Sequence, residues 1–234
     1  MSLAAIHSLT SVPFFKGIAD VDFERFNRSC SWRRYGRGEI VLNYEDESSD
    51  VYFIISGGVR VLIRTAAGKE VILGDIGAGQ FFGEMAAIDH EKRSANVTTL
   101  SNSAVCAMPS AVFWELLRSS PTACGKILKV FTERIRELNT RLAEHSIYDL
   151  RRRLYSELLR AAQPRLGKPN ELAVTPPPLH QFLAARIGCR REQVTREIAA
   201  LSKQKLVQKT RGALILLQPK LLQMRLNGFL QEPG

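Results

Sequence analysis

The chain lacks any long hydrophobic run. Its longest clean apolar stretches, Val51–Ile55 and Ala213–Leu217, fall far short of the roughly 20 residues that cross a bilayer, so no membrane-spanning helix is expected. Cysteine is scarce: Cys30, Cys106, Cys124 and Cys189 lie far apart with no CxxC. That spacing excludes a disulfide framework or a zinc knuckle, and it predicts buried free thiols in a reducing compartment. The first 15 residues carry no lysine or arginine, so the basic start of a secretory signal is missing and a cytoplasmic location is expected. No HExxH, GxSxG or P-loop occurs, which leaves an enzyme reading without a nucleophile–base pair, a metal cluster or a phosphate loop.

Positive charge is abundant but unevenly placed. The chain of 234 residues carries a net charge of +10, yet from Leu150 onward 16 Lys and Arg face 5 Asp and Glu, a balance of +11, and the remainder balances at −1. A basic module joined to a neutral one points to a polyanionic partner.

Hydrophobic patterning divides the chain three ways. Short helical pieces are expected before residue 30, with Asp20-Val-Asp-Phe-Glu offering an N-cap. Between Arg33 and Pro109, short β-branched and aromatic runs (Glu39–Asn43, Val51–Ser56, Val59–Arg64, Val71–Ile76, Ser94–Leu100, Ser103–Met108) alternate with turn signals, predicting an antiparallel roll or sandwich. The hairpin Val59–Arg64 to Val71–Leu73 turns through Ala66–Lys69. Past Pro109 the period becomes helical. A short helix over Ser110–Arg118 precedes a long one from Pro121 to His145, along which Leu128, Phe131, Ile135, Leu138, Leu142 and His145 step by three and four. So narrow a seam predicts a two-stranded parallel coiled coil and a homodimer. Asp149 marks a junction, after which come a helix over Leu150–Gln163, a loop over Pro164–Pro169, a short strand over Glu171–Thr175 and the stiff Pro176–Pro178. The expected organisation is an α+β chain: an N-terminal antiparallel β-roll of jelly-roll type at 1–120, a dimerisation helix at 121–148, and a winged helix-turn-helix at 149–234.

Two segments carry chemistry. Leu179–Arg186, the turn Ile187-Gly188-Cys189, and Arg190–Lys203 read as helix, turn, helix. The second helix opens with Arg190, Arg191, Glu192 and Gln193 and continues through Thr195 and Arg196, side chains suited to base edges in a major groove. A wing follows, with Lys209 and Arg211 at a basic tip for phosphates. In the roll, Gly79-Gln-Phe-Phe-Gly83-Glu84-Met-Ala precedes Arg93-Ser94-Ala95-Asn-Val97. Gly83 permits close backbone approach, the turn after it offers free N–H groups, and Arg93 supplies a fixed charge, which together suit a phosphate. Glu84 suits a ligand hydroxyl, while a plain Arg93–Glu84 surface pair is the competing reading.

These two cassettes, FFGEMA…RSANV and GCRREQVTR, in this order and at this separation, resemble those of the Crp/Fnr family of bacterial transcription factors over roughly residues 10–220. The resemblance implies a cyclic-nucleotide-dependent (cyclic AMP or cyclic GMP), homodimeric regulator of a palindromic DNA operator that also meets RNA polymerase. It implies that Gly83 and Ser94 contact the cyclic phosphate, Arg93 pairs with it, and Glu84 accepts from the ribose 2′-hydroxyl. Gly74, Ile76, Phe82 and Met85 would line the pocket, and Arg134 would lie near it. Asn139, reaching into the pocket across the dimer seam, would read the base with Thr140, since Leu138 stands where the family commonly has a polar residue; an amide both donates and accepts, so either purine is admitted. Arg191, Glu192 and Arg196 match the family's base-reading trio, with Arg190 and Gln193 replacing smaller residues. The clustered N-terminal cysteines of iron–sulfur relatives are missing, and His7, His90, His145 and His180 are too scattered to mark a haem ligand. A regulator that binds DNA without nucleotide, or senses redox state or a gas, is the alternative.

Overall fold

The computed structural model describes residues 8–64, 70–165 and 167–227, and the chain divides into two units, 1–135 and 136–234. The first contains two 3-10 turns (Leu9–Ser11, Pro13–Phe15), α1 (Phe23–Asn27), β1 (Ser31–Tyr35), β2 (Ile40–Leu42), β3 (Val51–Ser56), β4 (Gly58–Arg64), β5 (Glu70–Gly77), β6 (Phe81–Phe82), α2 (Glu84–Asp89), β7 (Asn96–Thr99), β8 (Ser103–Met108) and α3 (Ser110–Ser119). The long α4 (Pro121–Ile147) runs through the boundary between the units.

Two antiparallel four-stranded sheets, ordered β1-β8-β3-β6 and β2-β7-β4-β5, form the roll. Strand β3 is buried on both faces, which is why it reads as an unbroken apolar run rather than an alternating one. Tyr52 and Ile54 join Leu42, Val59, Phe82, Val97 and Val105 in one core, while Val51 and Phe53 join Phe14, Phe15, Phe81, Cys106 and Phe113 in another. Phe14 stands edge-on to Phe15 at 5.1 Å and to Phe81 at 5.5 Å, the geometry aromatic quadrupoles favour. The expected hairpin forms, with Val59 opposite Ile76 and Val61 opposite Gly74; its turn at Ala66–Lys69 lies outside the described residues.

The segment Asp20–Glu24 supplies the expected N-cap, and the structure shows which aspartate does so. Helix α1 is capped by Asp22, whose Oδ1 accepts from the Arg25 N–H at 3.1 Å. Asp20 serves the far end of the unit instead, accepting from Ser120 Oγ at 2.8 Å and the Thr122 N–H at 3.2 Å, so it fastens the first turn of α4. Of the four thiols only Cys106 is fully buried; Cys124 is half-buried, as are Cys30 and Cys189, which sit at the margins of the two cores.

The second unit contains α5 (Leu150–Ala161), β9 (Gln163–Arg165), β10 (Lys168–Val174), α6 (His180–Ile187), α7 (Arg191–Lys203), β11 (Val207–Lys209), β12 (Leu214–Leu216) and α8 (Pro219–Asn227), with sheet order β11-β12-β10-β9. Helix α5 therefore ends two residues before the expected Gln163, and the segment expected to be a loop is a hairpin. Gly167, at φ +73°, supplies a backbone turn other residues resist, and Glu171 holds both Arg165 and, at 3.3 Å, Lys168. Leu154, Leu158, Leu183, Ile187, Val194, Ile198 and Leu201 form the core beneath the helices.

Candidate nucleotide site and nucleic-acid interface

The cassette glycine sets the geometry. Gly83 adopts φ +81°, and a Cβ there would lie 2.9 Å from both Arg93 Nη1 and the Asp50 carbonyl oxygen, so only glycine fits. Phe82, just before it, stacks on Tyr52 with ring centroids 5.0 Å apart and fixes the approach of the chain. Arg93 is 3% exposed. Its Nη1 donates to the Gly83 carbonyl at 2.6 Å, Nη2 to the Asp50 carbonyl at 2.9 Å, and Nε to Ser48 Oγ at 3.0 Å. Among the described residues no carboxylate pairs with it. Burial draws its pKa below the ordinary arginine value, offset by the more distant charges of Asp50, Asp46 and Glu84. Three of five guanidinium N–H groups are thus engaged, and two are left to donate.

Glu84 does not pair with Arg93. Its Oε1 accepts from Arg134 Nη1 at 2.7 Å, while Arg134 Nη2 also binds the Phe81 carbonyl at 2.5 Å and the guanidinium lies 4.9 Å from the Phe81 ring centroid. Glu84 is buried and Arg134 half-buried, so in place of the competing surface pair with Arg93 there is a clamp between α4 and the cassette. The sequence hid this partner because Arg134 is 50 residues from Glu84. Gly74 has open space where a Cβ would stand, Ile76 packs at the margin of the roll core, Met85 is exposed, and Ser94 donates to the Met85 sulfur at 3.5 Å. Asn139 and Thr140 are exposed on the part of α4 that belongs to the second unit, where the Thr140 hydroxyl bonds back to the Arg136 carbonyl at 2.9 Å.

Along α4, Leu128, Ile135, Leu138 and Leu142 are each more than half exposed in the single chain. Phe131 differs from the seam expected for it, since it packs edge-on against Phe81 at 6.1 Å in its own unit.

In the second unit, Gly188 at φ +68° turns α6 into α7, and the Cys189 N–H caps α6 by donating to the Ala184 carbonyl at 3.0 Å. Arg191, Glu192 and Arg196 are exposed on the opening turns of α7. Gln193 is half-buried, and its side-chain oxygen accepts from the Arg190 N–H at 3.0 Å, so this glutamine caps its own helix instead of standing free. Thr195 is similarly engaged: its hydroxyl donates to the Arg191 carbonyl at 3.1 Å and bonds to His180 Nδ1 at 2.8 Å. The wing forms as an antiparallel β11–β12 pair closed by Thr210 against Ala213, with Lys209 and Arg211 exposed. Between α5 and α6, Glu157 is 4% exposed and held by Arg160 and Arg186, both at 2.9 Å.

The comparisons with known proteins fall on these same segments. A cyclic nucleotide-binding domain family model matches residues 32–120, and a Crp-like helix-turn-helix domain model matches residues 152–225. The chain belongs to the Crp/Fnr family. It is a transcription regulator with a cyclic nucleotide-binding domain and a DNA-binding helix-turn-helix, not an enzyme. The cyclic AMP receptor protein of Thermus thermophilus is 26% identical over 211 residues, covering 90% of this chain and 95% of that protein. The cAMP-activated global transcriptional regulator Vfr of Pseudomonas aeruginosa is 29% identical over 188 residues, covering 76% and 85%. Among solved structures, a CooA mutant from Carboxydothermus hydrogenoformans shares the fold at TM-score 0.73 and 19% identity, covering 89% of this chain and 97% of that one. Among the described residues no helix is long and apolar enough to cross a membrane, and no group of three or more His, Cys, Asp or Glu could hold a metal ion. His7 lies outside the described residues.

Proposed function

We propose that this Crp/Fnr regulator binds a cyclic purine nucleotide, cyclic AMP or cyclic GMP, in the roll and uses it to gate homodimer binding to a palindromic operator. The observation that carries this reading is Arg93: a buried cation with no carboxylate partner among the described residues, two N–H groups left to donate, and the bare backbone of Gly83 beside it. An uncompensated buried charge is costly, and a bound anion relieves the cost. A cyclic phosphate supplies that anion. Gly83 and Ser94 supply N–H and hydroxyl contacts to it, and Glu84 Oε2, which accepts no hydrogen bond among the described residues, takes the sugar hydroxyl. Gly74, Ile76, Phe82 and Met85 form the walls, and the family resemblance adds base contacts from Asn139, reaching across the dimer seam, with Thr140.

The clamp from Glu84 to Arg134 gives the ligand a direct hold on α4. Differential affinity for two arrangements of α4 is the driving force, since a ligand that binds both equally shifts nothing. The exposed leucines of α4 form the dimer seam, and two-fold symmetry sets half-sites about 34 Å apart, a spacing documented for helix-turn-helix dimers that include a member of this family. The domains follow as 1–120, 121–148 and 149–234, with RNA polymerase as the downstream partner.

Calorimetric titration with cyclic AMP and cyclic GMP, followed by selection of duplexes from a randomised pool with and without nucleotide, tests the reading. Saturable uptake of one nucleotide and nucleotide-dependent recovery of a palindrome are expected. Equal recovery of the same duplexes without nucleotide would instead establish the ligand-independent alternative.

A further inference from the structure

One titratable side chain packs against the recognition helix. His180 opens α6, and its Nδ1 lies 2.8 Å from Thr195 Oγ1 on α7. The Thr195 hydroxyl has one hydrogen, and that hydrogen is donated to the Arg191 carbonyl at 3.1 Å. With the hydroxyl hydrogen on the Arg191 carbonyl, His180 Nδ1 is the donor to Thr195, and we assign the ring's proton there. A neutral ring leaves Nε2 as a lone pair; an imidazolium places a second N–H on it. Both forms keep the bond to Thr195, so the ring gains or loses a charge at Nε2 without moving. Among the described residues Nε2 has no hydrogen-bond partner.

The charges facing this ring from neighbouring elements are both positive: Lys209 on the wing strand β11 and Arg191 on α7. Burial, and then these two cations, push the His180 pKa below its ordinary value, so the free protein holds the ring neutral near neutral pH. The same two cations are proposed to meet DNA, and the inference rests on that reading.

We propose that His180 is a phosphate-contacting residue of the DNA interface, and that it takes up a proton at Nε2 when a duplex binds between Lys209 and Arg191. A phosphate brought among the three groups reverses the local field. It neutralises the repulsion from Lys209 and Arg191 and accepts a charge-assisted hydrogen bond from the imidazolium. A pKa lowered in the free state and raised in the complex makes binding consume a proton. Affinity then rises as pH falls through the interval between the two values, by about tenfold per pH unit for each proton taken up.

The test is fluorescence anisotropy of a labelled duplex, taken from the selection above, with the full chain and saturating nucleotide between about pH 6 and about pH 8. Wild type should tighten towards acid. His180→Gln should bind more weakly at the acid end and lose most of the slope. His180→Arg, charged throughout, should bind with a flat profile. Carbon-13 NMR of the imidazole resonances, assigned by the His180→Gln spectrum, should show the His180 pKa rising when the duplex is added. Equal slopes for wild type and His180→Gln, or a His180 resonance that titrates identically with and without DNA, overturn the inference and leave DNA binding intact. Failure of wild type to bind any selected duplex at any pH overturns the DNA-binding reading and this inference with it.

Discussion

Arg93 donates from Nη1 to the carbonyl of Gly83 at 2.6 Å, so the fixed charge of the cassette is anchored on the residue whose left-handed backbone launches α2. Cradle and charge are one unit, and a change at either is felt by both.

Gly83→Ala must find room for a methyl group 2.9 Å from two polar atoms at φ +81°. It should lose about 1–3 kcal/mol of stability, read by thermal denaturation, and abolish nucleotide uptake in calorimetry. Gly74→Ala is the contrast. Nothing lies within 4 Å of its added methyl, so stability should hold while nucleotide affinity falls if that space belongs to the ligand.

Glu84 and Arg134 should behave as a coupled pair. Arg134→Ala leaves a buried carboxylate behind and should cost about 3 kcal/mol. The double variant Glu84→Gln with Arg134→Ala should cost less than the sum of the two single changes, with a coupling of about 1–3 kcal/mol in a denaturation cycle. Strict additivity would show the 2.7 Å contact to be energetically idle.

The seam is tested by charge. Leu138 and Leu142 are 58% and 68% exposed in the single chain. Changing both to glutamate should give a monomer by sedimentation equilibrium with the roll still folded, because neither side chain contributes to its core.

How much of this was legible beforehand varied with the range of the interaction. The β3 run, the hairpin, the helix-turn-helix and the wing are announced by local period and turn residues, and they stand within a few residues of where the sequence put them. The sites of difference involve partners far apart in the chain. Asp20 resembles a local N-cap, yet its acceptor oxygens serve Ser120, 100 residues away. The segment after α5 reads as a proline-rich loop because, among the described residues, β9 is an edge strand paired with β10, whose first residues at 168–170 lack the apolar pattern that begins near Glu171. In the site, Gly83 was legible from its type, whereas the clamp from Glu84 to Arg134 and the engagement of Gln193 and Thr195 depend on side-chain directions that spacing does not encode.

Glu157 sits under two arginines in the DNA-binding unit. Its replacement by alanine removes the buried carboxylate that Arg160 and Arg186 share, while Arg160 keeps Glu144 at 2.7 Å, and about 3 kcal/mol of stability should be lost. Hydrogen exchange should localise the loss to α5 and α6.

Asp20 gives a pH signature. The hydrogen bond from Ser120 is the chief cause holding its carboxyl below the usual value of 3.8, helped by Thr122. A depressed carboxylate stabilises the folded state above its unfolded value and ceases to do so as pH falls through the folded value. Wild type should therefore melt above Asp20→Ala at neutral pH, with the gap closing in acid below about pH 4.

The anchoring of α4 also decides where the chain can be cut. Lys126 Nζ donates to the carbonyls of Phe14 at 3.1 Å and Lys16 at 2.7 Å, and Asp20 grips the residues on either side of Pro121. A sensor fragment trimmed to residues 32–120 would discard both halves of this stitching and bare the aromatic floor of the roll. A version meant to survive in isolation should retain the opening turns and run at least to Arg134.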